Sequence, residues 1–479
     1  MSAIGRIIRN TSWQIVGQAV HLVLSLALLA VIPRYLGAEE YGKYSLIFVI
    51  IALFATLTDF GTNDIVVREL SKDRSRIAQA VIELLILKTV LGLAVIAISI
   101  AAVAILGYAE DLRRCFALAS ISLLFLSLSS TGNIVFRVNL SMQRGVFATA
   151  VKDILALLLS LLVIFFDGRL IHFILVVVVA NFVNLIVVLA LVREFLHAPS
   201  WSLDLDFWKR ILRSSLPLGC AYSVVSLYMT VDMLILEHIR GAEEVGYYNA
   251  SYKFVYLSVV FPLALATSLF PFMSEYSKIN QEKLKTLFQK SFDYTLLVAL
   301  PLATSLTVLA PKIIVLVFGS EFTPSIPALQ ILVWGVALMF PGIVFGYLMI
   351  ALDQQKKSLV IDCWGLGVNV GLNLVLIPMI GFIGAAIVTV VTEFCVLAPT
   401  VYLIQRNLKY RLCWNKGMRS LLAAAVCGLT LAVAARCPLL IQGIIGGLVL
   451  LVAVWLLRLV SNEDIELVLQ RPRPRSAQG

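Results

Sequence analysis

Five basic side chains lie within or beside long apolar stretches of the sequence. A charge inside such a stretch is energetically unfavourable, and one beside it could attract an anion. Lys88, Lys152 and Lys253 interrupt long apolar stretches, and Arg68 and Arg137 lie just outside such stretches. If those stretches cross a bilayer, each buried charge costs several kcal/mol and normally faces a wet cavity or a partner. The five residues are therefore candidate binding groups for an anionic substrate. The alternatives are that Lys88 and Lys152 snorkel to the membrane surface, and that the arginines only set the topology.

A second group of polar side chains could serve a coupling ion. Glu393 lies near the middle of an apolar stretch, as far from its ends as any acid in this chain. We predict a proton- or sodium-coupling role for Glu393, with Asn369 and Asn373 on the preceding stretch; the alternative is a hydrogen-bonded packing residue. Asp232 and Lys253 fall at similar depth on neighbouring stretches. They form either a structural ion pair or a gate in which Asp232 competes with the substrate for Lys253.

The composition indicates that these apolar stretches lie in a lipid bilayer. Of the 479 residues, 60% are hydrophobic and only 14% are charged, and the mean hydropathy is +0.96. Soluble domains have about 45–50% apolar and about 25% charged residues. This balance excludes a soluble multidomain protein, a secreted disulfide scaffold, a disordered chain and a nucleic-acid-binding domain. The sequence predicts an all-α polytopic membrane protein.

Fourteen apolar segments are long enough to cross a hydrocarbon core of roughly 30 Å. The first is too long for the apolar region of a signal peptide and is expected to remain as a span. The predicted spans are 12–33, 44–60, 81–106, 116–136, 148–166, 172–192, 216–238, 249–272, 292–310, 326–351, 358–380, 384–405, 420–436 and 440–460.

The distribution of charge predicts the orientation. If the N-terminus is inside, 27 of the 38 lysines and arginines fall on inward segments and 8 on outward loops. Cytoplasmic loops of membrane proteins carry this excess of basic residues. We therefore expect both termini in the cytoplasm, and we assign the net charge of +10 to topology rather than to nucleic acid.

The sequence repeats itself at an offset of 204 residues. Arg6-Ile7-Ile8-Arg9 recurs as Arg210-Ile211-Leu212-Arg213, and Gly37-Ala38-Glu39-Glu40 recurs as Gly241-Ala242-Glu243-Glu244. Gly42 and Tyr44 match Gly246 and Tyr248 in the same register. Two matches at one offset indicate a duplication.

The repeat predicts the domain organisation. Six spans separate the copies, and an even number restores the orientation, so the halves are parallel repeats around a central cavity. We expect an N-terminal six-helix half at 1–204 and a C-terminal six-helix half at 205–405. Two additional spans follow at 406–460, and a cytoplasmic tail at 461–479.

The cytoplasmic connection between the halves, 193–215, contains an amphipathic segment. Phe207, Trp208, Ile211 and Leu212 share one side at helical spacing. This pattern predicts a short helix lying in the membrane interface. The alternative is a simple cytosolic extension of the seventh span.

Several motifs resemble a known family of transporters. They are Arg34-Tyr35-Leu36-Gly37-Ala38-Glu39-Glu40-Tyr41-Gly42, Asp59-Phe60-Gly61, Arg68-Glu69-Leu70, the stretch 232–248, and the stretch from Asn373 to Gly384-Ala385-Ala386. With the two six-helix halves, they resemble the polysaccharide-synthesis branch of the multidrug/oligosaccharidyl-lipid/polysaccharide exporter superfamily, the O-antigen and capsule repeat-unit flippases. The resemblance covers nearly the whole chain.

The resemblance implies a flippase for a polyprenyl-pyrophosphate-linked oligosaccharide in the bacterial inner membrane. Such a protein works by alternating access among membrane lipids, beside a polysaccharide polymerase and other assembly proteins. The sequence has no P-loop, no metal-ligand spacing among its seven cysteines and no catalytic arrangement. We therefore expect no enzyme and no cofactor, only a coupling H⁺ or Na⁺.

Two other functions remain open. A cation or drug antiporter of the same superfamily would favour an acid-rich cavity, and the three lysines at depth weigh against it. A membrane enzyme of glycan assembly would need a large outer loop with catalytic groups. The outer loops predicted here are short, and their acids lie in the repeated turn.

Overall fold

The computed structural model describes residues 3–71, 77–195 and 204–459, with side chains from residue 13 onward except residue 15. Every regular element in these ranges is helical, which confirms the all-α fold class. The predicted tail, 461–479, lies outside the described residues. The α-helices are α1 Ala3–Asp59, α2 Thr62–Leu70, α3 Ile77–Ile105, α4 Glu110–Val138, α5 Met142–Phe165, α6 Leu170–Val192, α7 Leu205–Arg240, α8 Ala242–Ile279, α9 Gln281–Phe318, α10 Ser325–Ala351, α11 Gln355–Ile380, α12 Phe382–Leu408, α13 Asn415–Val433 and α14 Leu439–Leu456.

Thirteen helices within these ranges are long and apolar enough to cross a membrane. The first of them contains two predicted spans. Helix α1 has 57 residues and would measure about 85 Å if straight, but Gly37 interrupts it with non-helical dihedral angles. When its two parts are counted separately, each of the fourteen predicted spans corresponds to a helix.

The chain divides into two compact units, each with its own core. The first unit comprises Met1–Asn249 and Val317–Glu321, and the second comprises Ala250–Leu316 and Phe322–Gly479. The core of the first unit is formed mainly by α2, α3, α4, α6 and α7, and that of the second by α8, α9, α10 and α12. The halves predicted from the repeat, 1–204 and 205–405, remain a prediction.

The amphipathic segment between the halves is the first turns of α7. The helix runs without a break over Leu205–Arg240, so the prediction of a separate interfacial helix is wrong. Ile211 is fully buried in the core of the first unit, and Trp208 packs against it. Buried Glu83 of α3 accepts hydrogen bonds from Trp208 Nε1 at 2.8 Å and from the backbone N–H of Asp204 at 2.9 Å. Protein, rather than lipid, therefore receives this apolar face.

The two repeated turns have the same backbone conformation. Gly37 has φ 74° and ψ 176°, and Gly241 has φ 88° and ψ 177°. Left-handed φ values favour glycine, because other residues clash there. In both copies a new helix begins at the alanine that follows, Ala38 or Ala242.

The helices that follow these glycines contact each other reciprocally. A Cβ on Gly42 would lie 1.7 Å from the carbonyl oxygen of Ala242, and a Cβ on Gly246 would lie 2.1 Å from that of Ala38. One turn further on, Asn249 Nδ2 donates to Ser45 Oγ at 2.5 Å, and these two residues are also 204 apart. The repeated sequence thus forms a reciprocal contact, and glycine is required on both sides.

In the second unit, one lysine joins the last two helices to α9. Lys312 Nζ donates to the carbonyl oxygens of Ala435 and Cys437 at 2.7 and 2.6 Å, and to Gln442 Oε1 at 2.7 Å. All three acceptors lie in or beside the turn between α13 and α14. Lys312 therefore anchors this hairpin.

The reciprocal contact predicts the effect of added bulk. We expect Gly246→Val to lower the melting temperature and the membrane level, because backbone carbonyls cannot move aside cheaply; overpacking costs about 1–3 kcal/mol or more. The matched control is Gly371→Val on α11, where a Cβ meets nothing within 4 Å. Equal melting temperatures for the two purified variants would contradict the contact.

Candidate functional site

A break in the helical backbone separates α1 from α2. Phe60 and Gly61 have φ values of 44° and 75°, and both lie in the left-handed region. Thr62 Oγ1 donates to the carbonyl oxygen of Asp59 at 2.7 Å, and it thereby satisfies a group that the break leaves without its helical partner. Broken helices in membrane proteins persist only where protein or water satisfies the backbone. The break places Asp59 and Asn63 beside α3.

Lys88 of α3 contacts residues on both sides of this break. Its side chain is 0% exposed, so the alternative of snorkelling is wrong. The ammonium donates to Asp59 Oδ1 at 3.0 Å, Asn63 Oδ1 at 2.6 Å and Ser130 Oγ at 2.9 Å. Its three acceptors come from α1, α2 and α4 and match its three protons. Lys88 thus joins four helices. A role in binding substrate remains a prediction.

The two arginines predicted to bind an anion, Arg68 and Arg137, lie in the last turns of α2 and α4. Arg137, in the last turn of α4, is 46% exposed, and its Nη1 lies 3.1 Å from Asp64 Oδ1. Tyr222 of α7 donates to the other oxygen of Asp64 at 3.0 Å. Arg68 is exposed in the last turn of α2. The guanidinium of Arg137 is therefore partly paired and also accessible to an incoming anion.

Lys152 belongs to a three-residue cluster that the sequence did not reveal. Its Nζ lies 3.3 Å from Asp153 Oδ1, and the second oxygen of Asp153 lies 2.6 Å from His21 Nδ1. Asp153 is buried, whereas the His21 side chain is 53% exposed. His21 and Asp153 are 132 residues apart, so no local signal predicted their contact.

The predicted coupling residues in the second unit are buried. Glu393 of α12 is 8% exposed, and Asn369 and Asn373 of α11 are 2% and 0% exposed. Asn373 Nδ2 donates to Asn369 Oδ1 at 2.9 Å. The direct pairing of Glu393 with these amides remains a prediction.

The proposed pair Asp232–Lys253 is divided between the two compact units. Asp232 belongs to the first unit, where Tyr248 donates to its Oδ2 at 3.0 Å. Lys253 belongs to the second unit, where its Nζ lies 6.0 Å from the ring centroid of Tyr256. Both residues have defined surroundings, and their pairing remains a prediction.

Comparison with known proteins identifies the family. A family model described as polysaccharide biosynthesis protein matches residues 7–277, more than half of the chain. The chain belongs to this family. A second model, MatE, matches residues 217–375. The resemblance seen in the sequence motifs is thereby confirmed.

Two similar proteins match different shares of the chain. The capsular polysaccharide biosynthesis protein CapF of Staphylococcus aureus is 20% identical over 83% of this chain and 99% of its own. A protein of Haloferax volcanii described as a probable low-salt glycan biosynthesis flippase, Agl15, is 29% identical over 35% of this chain. That match spans only 37% of the Haloferax protein.

Two solved structures share the fold of the present chain. A lipid II flippase, MurJ, in an inward closed conformation superposes with a TM-score of 0.77 at 13% identity, covering 94% of this chain and 99% of its own. An inward-facing multidrug resistance transporter of the MATE family gives a TM-score of 0.67 at 18% identity, covering 82% and 98%. At these identities the likeness concerns the fold.

The Lys88 network predicts a stability effect. Lys88→Met leaves the Asp59 carboxylate and two neutral acceptors without their donor, and we expect a loss of about 2–3 kcal/mol. Thermal melting of the purified protein and its level in membranes measure this loss. Asp59→Asn added to Lys88→Met is expected to recover part of it, because the uncompensated charge is removed.

The matched control for this variant is Lys152→Met. That lysine is 26% exposed and holds a single ion pair, so the expected cost is below about 1 kcal/mol. If Lys88→Met melts at the same temperature as Lys152→Met, the network does not stabilise the helix break.

Proposed function

We propose that this protein is a flippase that carries a polyprenyl-pyrophosphate-linked oligosaccharide, an O-antigen or exopolysaccharide repeat unit, from the cytoplasmic to the outer leaflet. The observation that carries the proposal is the match of residues 7–277 to the polysaccharide biosynthesis family. Further support comes from two similar proteins, one described as a probable glycan biosynthesis flippase and the other a lipid II flippase. These relatives point to a transporter and not to an enzyme.

The site of action in this proposal is the bacterial cytoplasmic membrane. The many apolar helices support a multi-pass membrane protein, and the excess of basic residues on one set of segments supports cytoplasmic N- and C-termini. A polysaccharide polymerase and other assembly proteins are the expected partners, because a flipped repeat unit must be consumed on the far side.

The proposed mechanism gives the cations a shared role. A pyrophosphate carries charge through a region of low dielectric, where fixed cations offset its loss of hydration. We assign this role to Arg68 and Arg137 at the inner mouth, and to Lys88, Lys152 and Lys253 within the spans. Arg137, Lys152 and Lys88 each lie against a carboxylate. In this mechanism the phosphate competes with those carboxylates.

Energy in this proposal comes from an ion gradient. Glu393, with Asn369 and Asn373, is the proposed H⁺ or Na⁺ site, and Asp232 is a proposed gate. The burial of all four side chains in helices supports this assignment, because an ionisable side chain inside a membrane span is typical of an ion pathway.

A cation or drug antiporter is the second candidate. The MatE model and the multidrug transporter fold support it. The two candidates make opposite predictions about the material that accumulates when the protein is missing.

Deletion of the chain tests the proposal directly. We expect an intact lipid-linked oligosaccharide to accumulate with its glycan facing the cytoplasm, because assembly continues and translocation stops. The measurement is the fraction of the glycan lipid that is recovered intact when right-side-out vesicles are treated with a membrane-impermeant glycosidase and then extracted. Normal surface glycan combined with altered drug tolerance would overturn the proposal in favour of the antiporter.

Substitution of Glu393 tests the coupling site. Glu393→Gln keeps the shape of the side chain and removes its charge, so we expect normal membrane levels and a flipping rate that no longer responds to the gradient. The measurement is flipping in vesicles with and without an ionophore. Thr400→Val, on the same helix, is the control, because its hydroxyl bonds only its own backbone among the contacts described. A wild-type gradient response of Glu393→Gln would return Glu393 to a packing role.

A further inference from the structure

A cavity with several polar lining residues lies between α1, α4 and α5 of the first unit. Its volume is about 470 Å³. Its lining carries two glutamines, an asparagine, a histidine and a threonine, all of them able to donate and accept hydrogen bonds. The lining residues are Gln14, Gly17, Gln18, His21, Met142, Gly145, Val146, Thr149 and Asn133.

The polar lining faces water or a ligand rather than lipid. Gln18, His21 and Asn133 are exposed, although each lies on a helix long and apolar enough to span the membrane. Polar side chains at such depth turn to a wet cavity, because hydrocarbon offers no hydrogen bonds. Asn133 lies five residues before the end of α4, and Thr149 seven residues after the start of α5. The cavity is therefore about 8–10 Å from the turn between those helices.

The groups that line the cavity differ in charge from the residue that lies beside it. Its single ionisable lining residue is His21, whose Nδ1 is held by Asp153, which also pairs with Lys152. On α4, Arg137 follows Asn133 by one helical turn, on the same face and about 6 Å away. The cavity itself thus offers amide, hydroxyl and imidazole hydrogen-bonding groups, and a partly exposed guanidinium lies next to it on the side of the α4–α5 turn.

We propose that this cavity binds the sugar attached directly to the pyrophosphate, while Arg137 binds the adjacent phosphate. Amide, imidazole and hydroxyl groups match the hydroxyl and acetamido groups of a sugar, whereas a phosphate prefers a guanidinium. The spacing of Asn133 and Arg137 is one that a single sugar ring bridges. Asp153 fixes the orientation of the His21 ring in this site. The inference rests on the proposed function and adds the part of the substrate that each group recognises.

The test compares lipids with and without sugar on the full chain in nanodiscs. The probes are the lipid-linked oligosaccharide extracted from the deletion strain, polyprenyl pyrophosphate of the same length, and the free oligosaccharide released by mild acid. Loss of one enclosed hydrogen bond is expected to weaken binding about tenfold. Asn133→Leu and Thr149→Val should each show this loss for the lipid-linked oligosaccharide and none for polyprenyl pyrophosphate.

A variant of the proposed phosphate-binding residue and a control variant complete the experiment. Arg137→Gln should weaken both lipids by the same factor. Thr267→Val is the matched control for Thr149→Val and should change nothing, because the Thr267 hydroxyl bonds carbonyl oxygens of its own helix. The free oligosaccharide should bind far more weakly than the lipid-linked form; equal binding would show that the site takes a soluble glycan and would overturn the assignment of Arg137.

Other outcomes separate this inference from the proposed function. If the deletion strain accumulates lipid-linked oligosaccharide, but Asn133→Leu and Thr149→Val bind it as the wild type does or weaken both lipids alike, the sugar cavity is wrong and the flippase remains. If no such lipid accumulates, both fail. A Thr149→Cys variant, made after the exposed Cys220, Cys363 and Cys413 are replaced by serine, guards against misfolding: the lipid-linked oligosaccharide should protect it from a maleimide, and polyprenyl pyrophosphate should not.

Discussion

Hydrocarbon cannot hydrate an ion or a free peptide group, and this constraint orders the first unit around Lys88. Its ammonium has three protons and finds three acceptors, on Asp59, Asn63 and Ser130. Two of those acceptors are side chains on either side of the break at Phe60 and Gly61, so the lysine joins the two helix ends. The carbonyl oxygen of Asp59, which the break leaves without its helical partner, accepts a hydrogen bond from Thr62 Oγ1.

The repeated turns allow a close approach of two helices near their N-terminal ends. Gly42 and Gly246 each leave room for a carbonyl oxygen of the other copy, and Asn249 satisfies Ser45 across the same contact. Glycine at both positions therefore has one physical reason: a side chain on either copy would overlap a carbonyl oxygen of the other.

The spans and the repeat could be predicted from the sequence because both are local properties. Apolar length alone predicted all fourteen segments, and a fixed offset revealed the paired turns. The charge partners could not be predicted. His21 meets Asp153 from 132 residues away, and Lys88 meets Ser130 through the packing of α3 on α4. The amphipathic start of α7 fits a membrane surface equally well in sequence; only the position of Glu83 decides that Trp208 packs on protein.

The pairing of cations with carboxylates has a consequence for a carrier. In the proposed function, an unpaired cation would bind a phosphate strongly and release it slowly, whereas transport requires release on the far side. Arg137 and Lys152 lie 3.1 and 3.3 Å from carboxylate oxygens, so a phosphate that bound them would gain only the difference between two similar interactions. Such an exchange lowers affinity and keeps the site neutral when it is empty. In the proposals above, the discrimination between substrates then falls to amide, hydroxyl and imidazole groups, whose hydrogen bonds are weak one by one but specific together.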